Sequence, residues 1–166
     1  MTDFQVHGPF EVPVHHGAAG RIVRAAEGTE FFGSHPALAP RRGCYVFGIR
    51  AGGGITPVYV GKTHGSFAEE CFTPHKLGKY NEGLVEYARG TPVLFLLTPP
   101  ERRGPPNQGH INELEAFLIQ TGVAANEDLL NVQGTGGADW TITGVLRAGQ
   151  GRPSDSASLF KTMMRF

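Results

Sequence analysis

The clearest hydrophobic pattern is a pair of short runs on either side of a glycine turn. Cys44-Tyr45-Val46-Phe47-Gly48-Ile49 is rich in aromatic and β-branched residues, Ala51-Gly52-Gly53-Gly54 reads as a turn, and Ile55 to Val60 is strand-like again. Together they predict an antiparallel hairpin. The two-residue period of a strand puts Tyr45, Phe47 and Ile49 on one face of the first strand. On the second strand it groups Tyr59 with Gly61, opposite Val58 and Val60. Val93-Leu94-Phe95-Leu96-Leu97 is apolar without a break, as in a strand buried on both faces, so Pro92 to Thr98 is expected to be a third strand.

Helical periodicity appears between and after these strands. Residues 66–72 and 76–89 read as helices separated at Pro74, the second with Leu77, Tyr80, Leu84 and Tyr87 at helical spacing. From about 110 to 121, Ile111, Leu114, Leu118 and Ile119 form one apolar stripe, with Gly122 fitting the position just past the helix end. Glu115 falls inside that stripe, whereas Glu113 points toward water. A carboxylate facing apolar surroundings is costly unless something compensates it.

The two ends of the chain are less periodic. Residues 1–40 read as short strands and loops, with Arg21-Ile22-Val23-Arg24 as a brief strand and Gly33 to Pro40 as a connector. Pro99 to Gly109 is a proline-rich loop, Gly134 to Gly137 a turn, Trp140 to Leu146 a short strand, and 148–158 a flexible Gly/Ser/Pro segment. Leu159-Phe160 and Met163-Met164 form an amphipathic turn that would suit a protein partner. The expected fold is α/β: a small three-stranded antiparallel sheet core flanked by helices, with additional N- and C-terminal strands. Residues 1–166 are expected to form a single domain.

Composition adjusts this picture in three ways. At 166 residues the chain has the size of one domain that can bury a core unaided. Its two cysteines, Cys44 and Cys71, exclude a disulfide scaffold, and with no signal-like N-terminus a cytoplasmic protein is the expectation. Its longest apolar run, Val93 to Leu97, is too short to span a bilayer. The formal net charge is zero, which argues against a general nucleic-acid binder, yet no acidic residue lies between Glu30 and Glu69. Arg41, Arg42, Arg50 and Lys62 lie in that interval, and Lys76 and Lys79 follow, so a local positive face is available.

A hairpin, a helix, a third strand and a helix with an inward glutamate, in this order, resemble the GIY-YIG nuclease superfamily. The first half-motif is Gly43-Cys44-Tyr45-Val46-Phe47 and the second Val58-Tyr59-Val60-Gly61-Lys62-Thr63. The family's Glu-x-x-Leu-Ile pattern appears as Glu115-Ala116-Phe117-Leu118-Ile119, followed by Leu130-Asn131. The resemblance covers roughly residues 43–132, which would form the catalytic core. It implies a metal-dependent endonuclease that hydrolyses phosphodiester bonds, in DNA more readily than in RNA, or an inactive nucleic-acid-binding module with the same fold.

It also implies roles. Glu115 would hold a divalent cation, Mg²⁺ or Mn²⁺, which would in turn compensate the carboxylate. Tyr45 would be the general base, Tyr59 would position water or phosphate, Lys62 would contact phosphate and Asn131 would anchor the site. Gly61, Arg41, Arg42 and Lys79 would contact substrate. The family's arginine on the first helix is missing from Ser66-Phe67-Ala68-Glu69-Glu70-Cys71-Phe72, so His75 and Lys76 are the candidates to replace it. Two other chemistries are available in principle. Cys71 and His75, with His64 and Cys44, have spacings compatible with zinc but include no C-x-x-C pair, and Cys44 is a possible nucleophile inside a strand pattern.

Overall fold

The computed structural model describes residues 2–18, 20–101, 106–126, 140–145 and 153–166. The elements run β1 (Thr2–Glu11), β2 (His15–Gly17), β3 (Gly20–Ile22), α1 (Ala25–Ser34), β4 (Gly43–Ala51), β5 (Gly54–Thr63), α2 (Phe67–Glu70), α3 (Pro74–Glu86), β6 (Thr91–Thr98), α4 (Gln108–Ala125), β7 (Trp140–Ile142) and α5 (Asp155–Met164). Five strands make a mixed sheet in the order β5-β4-β6-β1-β7, and β2 with β3 forms a separate ribbon. The α/β class is as expected. The sheet is wider than the expected three-stranded core: β5, β4 and β6 pair antiparallel, β1 adds antiparallel to β6, and β7 adds parallel to β1.

The hairpin turns where the glycines predicted, but its alternation is broken once. Phe47 pairs with Tyr59 and Gly48 with Pro57, so Val58 is the extra residue of a bulge. That is why Val58 joins Tyr59 in the same buried cluster instead of facing the other way. Pro57 sits in an edge strand, where a missing backbone N–H is tolerated and discourages pairing with another chain.

The sheet separates two cores. On one face Tyr45, Phe47, Ile49, Val58, Tyr59, Leu94 and Leu96 pack under α1, α2 and α3. On the other, Cys44, Val46, Val60, Phe95 and Leu97 pack under α4 and α5. β6 is buried on both faces, as its unbroken apolar run predicted.

Several boundaries differ from the sequence reading. Residues 25–34 form a helix where loops were expected: Glu27 accepts from the Arg24 backbone N–H at 2.9 Å and from its guanidinium, closing the first turn. Pro74 starts α3 as its first residue, where the ring's fixed φ suits a helix. Gly122 lies inside α4, which runs on to Ala125. β7 is only three residues long. Asp155 to Ser158, expected to be flexible, opens α5 behind a Ser154 cap. Phe160, Met163 and Met164 are buried in the core, so of the apolar residues proposed as a partner contact only Leu159 stays exposed. The Gly134–Gly137 turn and residues 148–152 lie outside the described residues.

Candidate functional site

The two motif glycines are explained by close packing. Gly43 has φ 140°, and a side chain there would run into the Leu97 carbonyl. Gly61 lies directly across the ladder from Tyr45, whose ring fills the space a Cβ at 61 would need. The sequence reading reserved that space for a ligand; the structure gives it to the Tyr45 phenol.

Tyr45 itself is fully buried, and among the described residues its hydroxyl has no hydrogen-bond partner. Burial pushes its pKa far above the ordinary phenol value, and Tyr80, Cys71, Tyr59 and Glu70 add to the rise. A hydroxyl that cannot ionise or reach solvent is poorly suited to be a general base, so the role assigned to Tyr45 does not fit its surroundings. Tyr80, also fully buried with an unpaired hydroxyl, stacks on Phe47 at 4.1 Å and meets Tyr59 edge-on at 6.1 Å.

Tyr59 lies at the border of this cluster, 6% exposed, with its ring 6.3 Å from that of Tyr45. Lys76 reaches it from the first turns of α3. Its Nζ is 5.9 Å from the Tyr59 ring centre and 3.1 Å from a Glu70 oxygen. Burial opposes the charge on Lys76, but the Tyr59 hydroxyl and Glu70 outweigh it and raise the pKa. The cation sought in place of the missing arginine is therefore beside a motif tyrosine. His75 is exposed one position away.

Glu115 meets Lys62 on the other face. Lys62 is the cross-strand partner of Cys44 and shares its side of the sheet. Its Nζ donates to Glu115 Oε2 at 2.6 Å, and the two side chains are 34% and 19% exposed. The carboxylate in the apolar stripe is thus compensated by a lysine at the rim. Next along β5, the His64 ring nitrogen Nε2 lies 3.0 Å from Asn112 Oδ1, and Arg42 donates to the His64 carbonyl at 3.0 Å. Glu113, expected in water, is half-buried with Oε2 unpaired.

The remaining candidates are dispersed. Arg41 pairs with Glu101 and donates to the Pro99 carbonyl, and Lys79 pairs with Glu82, so each is engaged away from the motif tyrosines and Glu115. Asn131 lies outside the described residues. Both cysteines are buried free thiols whose pKa burial raises, which removes Cys44 as a ready nucleophile. Among the described residues no three His, Cys, Asp or Glu side chains gather as a metal cage, and no helix is long and apolar enough to cross a membrane.

The sequence reading missed Glu70, Asn112 and the unpaired hydroxyl of Tyr80. Tyr80 was findable, since it stands four residues after Lys76 and so shares its helix face. Glu70 and Asn112 carried no signal, because their partners come from other elements.

The candidates thus form two groups on opposite faces of β5: Tyr59 with Lys76 and Glu70, and Lys62 with Glu115. They do not share one face. No protein-family model, curated protein or solved structure matches the chain.

Proposed function

We propose that the protein is a GIY-YIG-type nuclease that hydrolyses phosphodiester bonds of DNA laid along the free rim of β5. The observation that carries this reading is that both ionic groups belong to one edge strand. Tyr59 and Lys62 are three residues apart, about 10 Å along a strand. Among the described residues β5 has no strand neighbour on its outer side, so its rim is the border between the two faces that carry these groups.

The Lys62–Glu115 pair supports the reading chemically. The Lys62 side chain is 34% exposed at the rim, so an arriving phosphate can compete for it and leave Glu115 free. Mg²⁺ is commonly held by one or two carboxylates together with substrate phosphate. One surface carboxylate without a closed cage fits a cation, Mg²⁺ or Mn²⁺, that arrives with its substrate. When bound, such a cation would neutralise phosphate charge and favour departure of the leaving oxygen.

The chain's own residues supply the rest. Lys62 binds a phosphate oxygen as a point charge. Tyr59, at the border of the aromatic cluster with the Lys76 ammonium beside it, orients the attacking water and takes the base role in place of Tyr45. Lys76 also offsets the charge that builds on the phosphate, as the absent arginine would. Glu70 holds Lys76 in place.

The test is incubation with plasmid, branched and single-stranded DNA, with and without Mg²⁺ or Mn²⁺. Metal-dependent cleavage is expected, reduced at least about 100-fold by Glu115→Gln and by Tyr59→Phe, a loss comparable with removing one transition-state donor. Cleavage that survives Glu115→Gln sinks the proposal. Salt-sensitive binding without cleavage would favour the second reading, an inactive binding module, for which the buried Tyr45 hydroxyl and the missing helix arginine speak.

A further inference from the structure

The opposite end of β5 carries a second basic feature that plays no part in the chemistry above. A cavity of about 560 Å³ opens beside the hairpin turn, lined by Arg50, Gly52, Gly53, Gly54 and Arg89, with Leu159 at its margin. Among the described residues no acidic side chain lines it. Its glycines leave open space where side chains would stand, so their backbone N–H groups are approachable.

Arg89 is set there by a specific brace. The Arg21 guanidinium donates to the carbonyls of Tyr87, Ala88 and Gly90, at 3.3, 2.7 and 2.6 Å. These carbonyls flank Arg89 on both sides, so the loop after α3 is pinned while Arg89 remains exposed. Arg89 forms no ion pair among the described residues. Arg50 pairs with Glu11, but both are open to solvent, 41% and 65% exposed, so a phosphate can compete for the guanidinium.

We infer that this cavity binds a backbone phosphate of the same DNA whose scissile bond lies near Lys62, and so acts as a second, non-catalytic clamp at the hairpin end of β5. The inference rests on the nuclease reading and extends it by setting a footprint. Eight residues separate Gly54 from Lys62, about 26 Å along a strand, which corresponds to roughly eight nucleotides at ~3.4 Å per step. Guanidinium is the appropriate group, because its planar fork matches phosphate oxygens.

The experiment compares the wild type with Arg50→Gln/Arg89→Gln on a labelled 20-base-pair duplex across a salt series, with fold checked by circular dichroism. Each phosphate contact contributes about 0.9 to the slope of log K against log salt. The double variant should therefore lose close to one unit of slope. In cleavage it should raise KM and leave kcat unchanged, as expected for binding that is uniform through the reaction. Leu159→Glu, which leaves both arginines in place but adds a carboxylate to the lining, should weaken binding in the same sense.

An unchanged slope in both folded variants overturns the clamp while leaving the nuclease reading intact. Calorimetry with pyrophosphate distinguishes the other source of the same chemistry. Pyrophosphate binding that is lost in the double variant while the DNA slope stays unchanged would make the cavity a small-anion site and overturn the DNA clamp. If the wild type binds no DNA at low salt, the clamp and the nuclease reading fall together.

Discussion

The two faces of the sheet handle their polar groups in opposite ways. Under α1–α3, aromatic rings close over one another, and the hydroxyls of Tyr45 and Tyr80 are sealed in without partners. Under α4, Glu115 is met by a lysine and stays partly open to solvent, although Glu113 on the same helix keeps one buried oxygen unpaired among the described residues. The first face is a packed support, intolerant of change in volume. The second ends in a weak, exchangeable pair. Support and exchange are thus assigned to opposite sides of β5, a division that the proposed nuclease reading would use.

The largest effect is expected where the support is most rigid. Tyr80→Ala removes a ring stacked on Phe47 and leaves a cavity, which should cost about 3–5 kcal/mol in urea unfolding, as large aromatic truncations do. A cost near 1 kcal/mol would mean that the tyrosine face is loosely packed and the contrast between faces is unreal. Next comes Gly61→Ala, which drives a methyl into the Tyr45 ring. Overpacking of this kind should cost about 1–3 kcal/mol, and a thermal midpoint equal to the wild type would show that the Tyr45 ring is free to move aside.

Acid offers a third, smaller probe of the same face. Glu27 closes the first turn of α1, and its hydrogen bonds with Arg24 hold its pKa down to about 2. Because the folded value is lower than the unfolded one near 4.5, the stabilisation is complete above pH 4.5 and fades as the pH falls toward 2. The loss should be about 1 kcal/mol, the usual worth of a cap. Glu27→Gln should flatten that part of the pH–stability curve, and identical curves for both proteins would contradict the cap.

The smallest effect belongs to the open face. A double-mutant cycle on Lys62→Met and Glu115→Gln should give a coupling of about 0.2–1 kcal/mol in stability. A coupling above roughly 3 kcal/mol would mark a buried, structural pair and remove the argument that substrate can prise it open.

The fold was legible wherever one period dominated. The hairpin at Gly52–Gly54, the buried strand β6 and the apolar stripe of α4 followed from spacing alone. Elements resting on a single contact were not. Helix α1 begins with a charged pair, Arg24 and Glu27, in a stretch with little apolar repeat, and β1 is a strand because it can pair with β6 across more than eighty residues. The candidate site was half legible: Glu115 stood out as a carboxylate that needed a partner, and the partner was among the residues already singled out, as Lys62.

By itself the sequence determined which residues carry polar chemistry in an apolar setting: Tyr45, Tyr59 and Glu115. It also set the order of hairpin, helix, strand and helix. Only the tertiary structure decided how they are distributed. One extra residue at Val58, the ring of Tyr45 over Gly61 and the reach of Lys76 across to Tyr59 depend on atoms far apart in the chain. Periodicity assigns a side chain to a face. Which neighbour meets it there, and whether its hydroxyl is sealed or its carboxylate paired, is settled by what packs against that face.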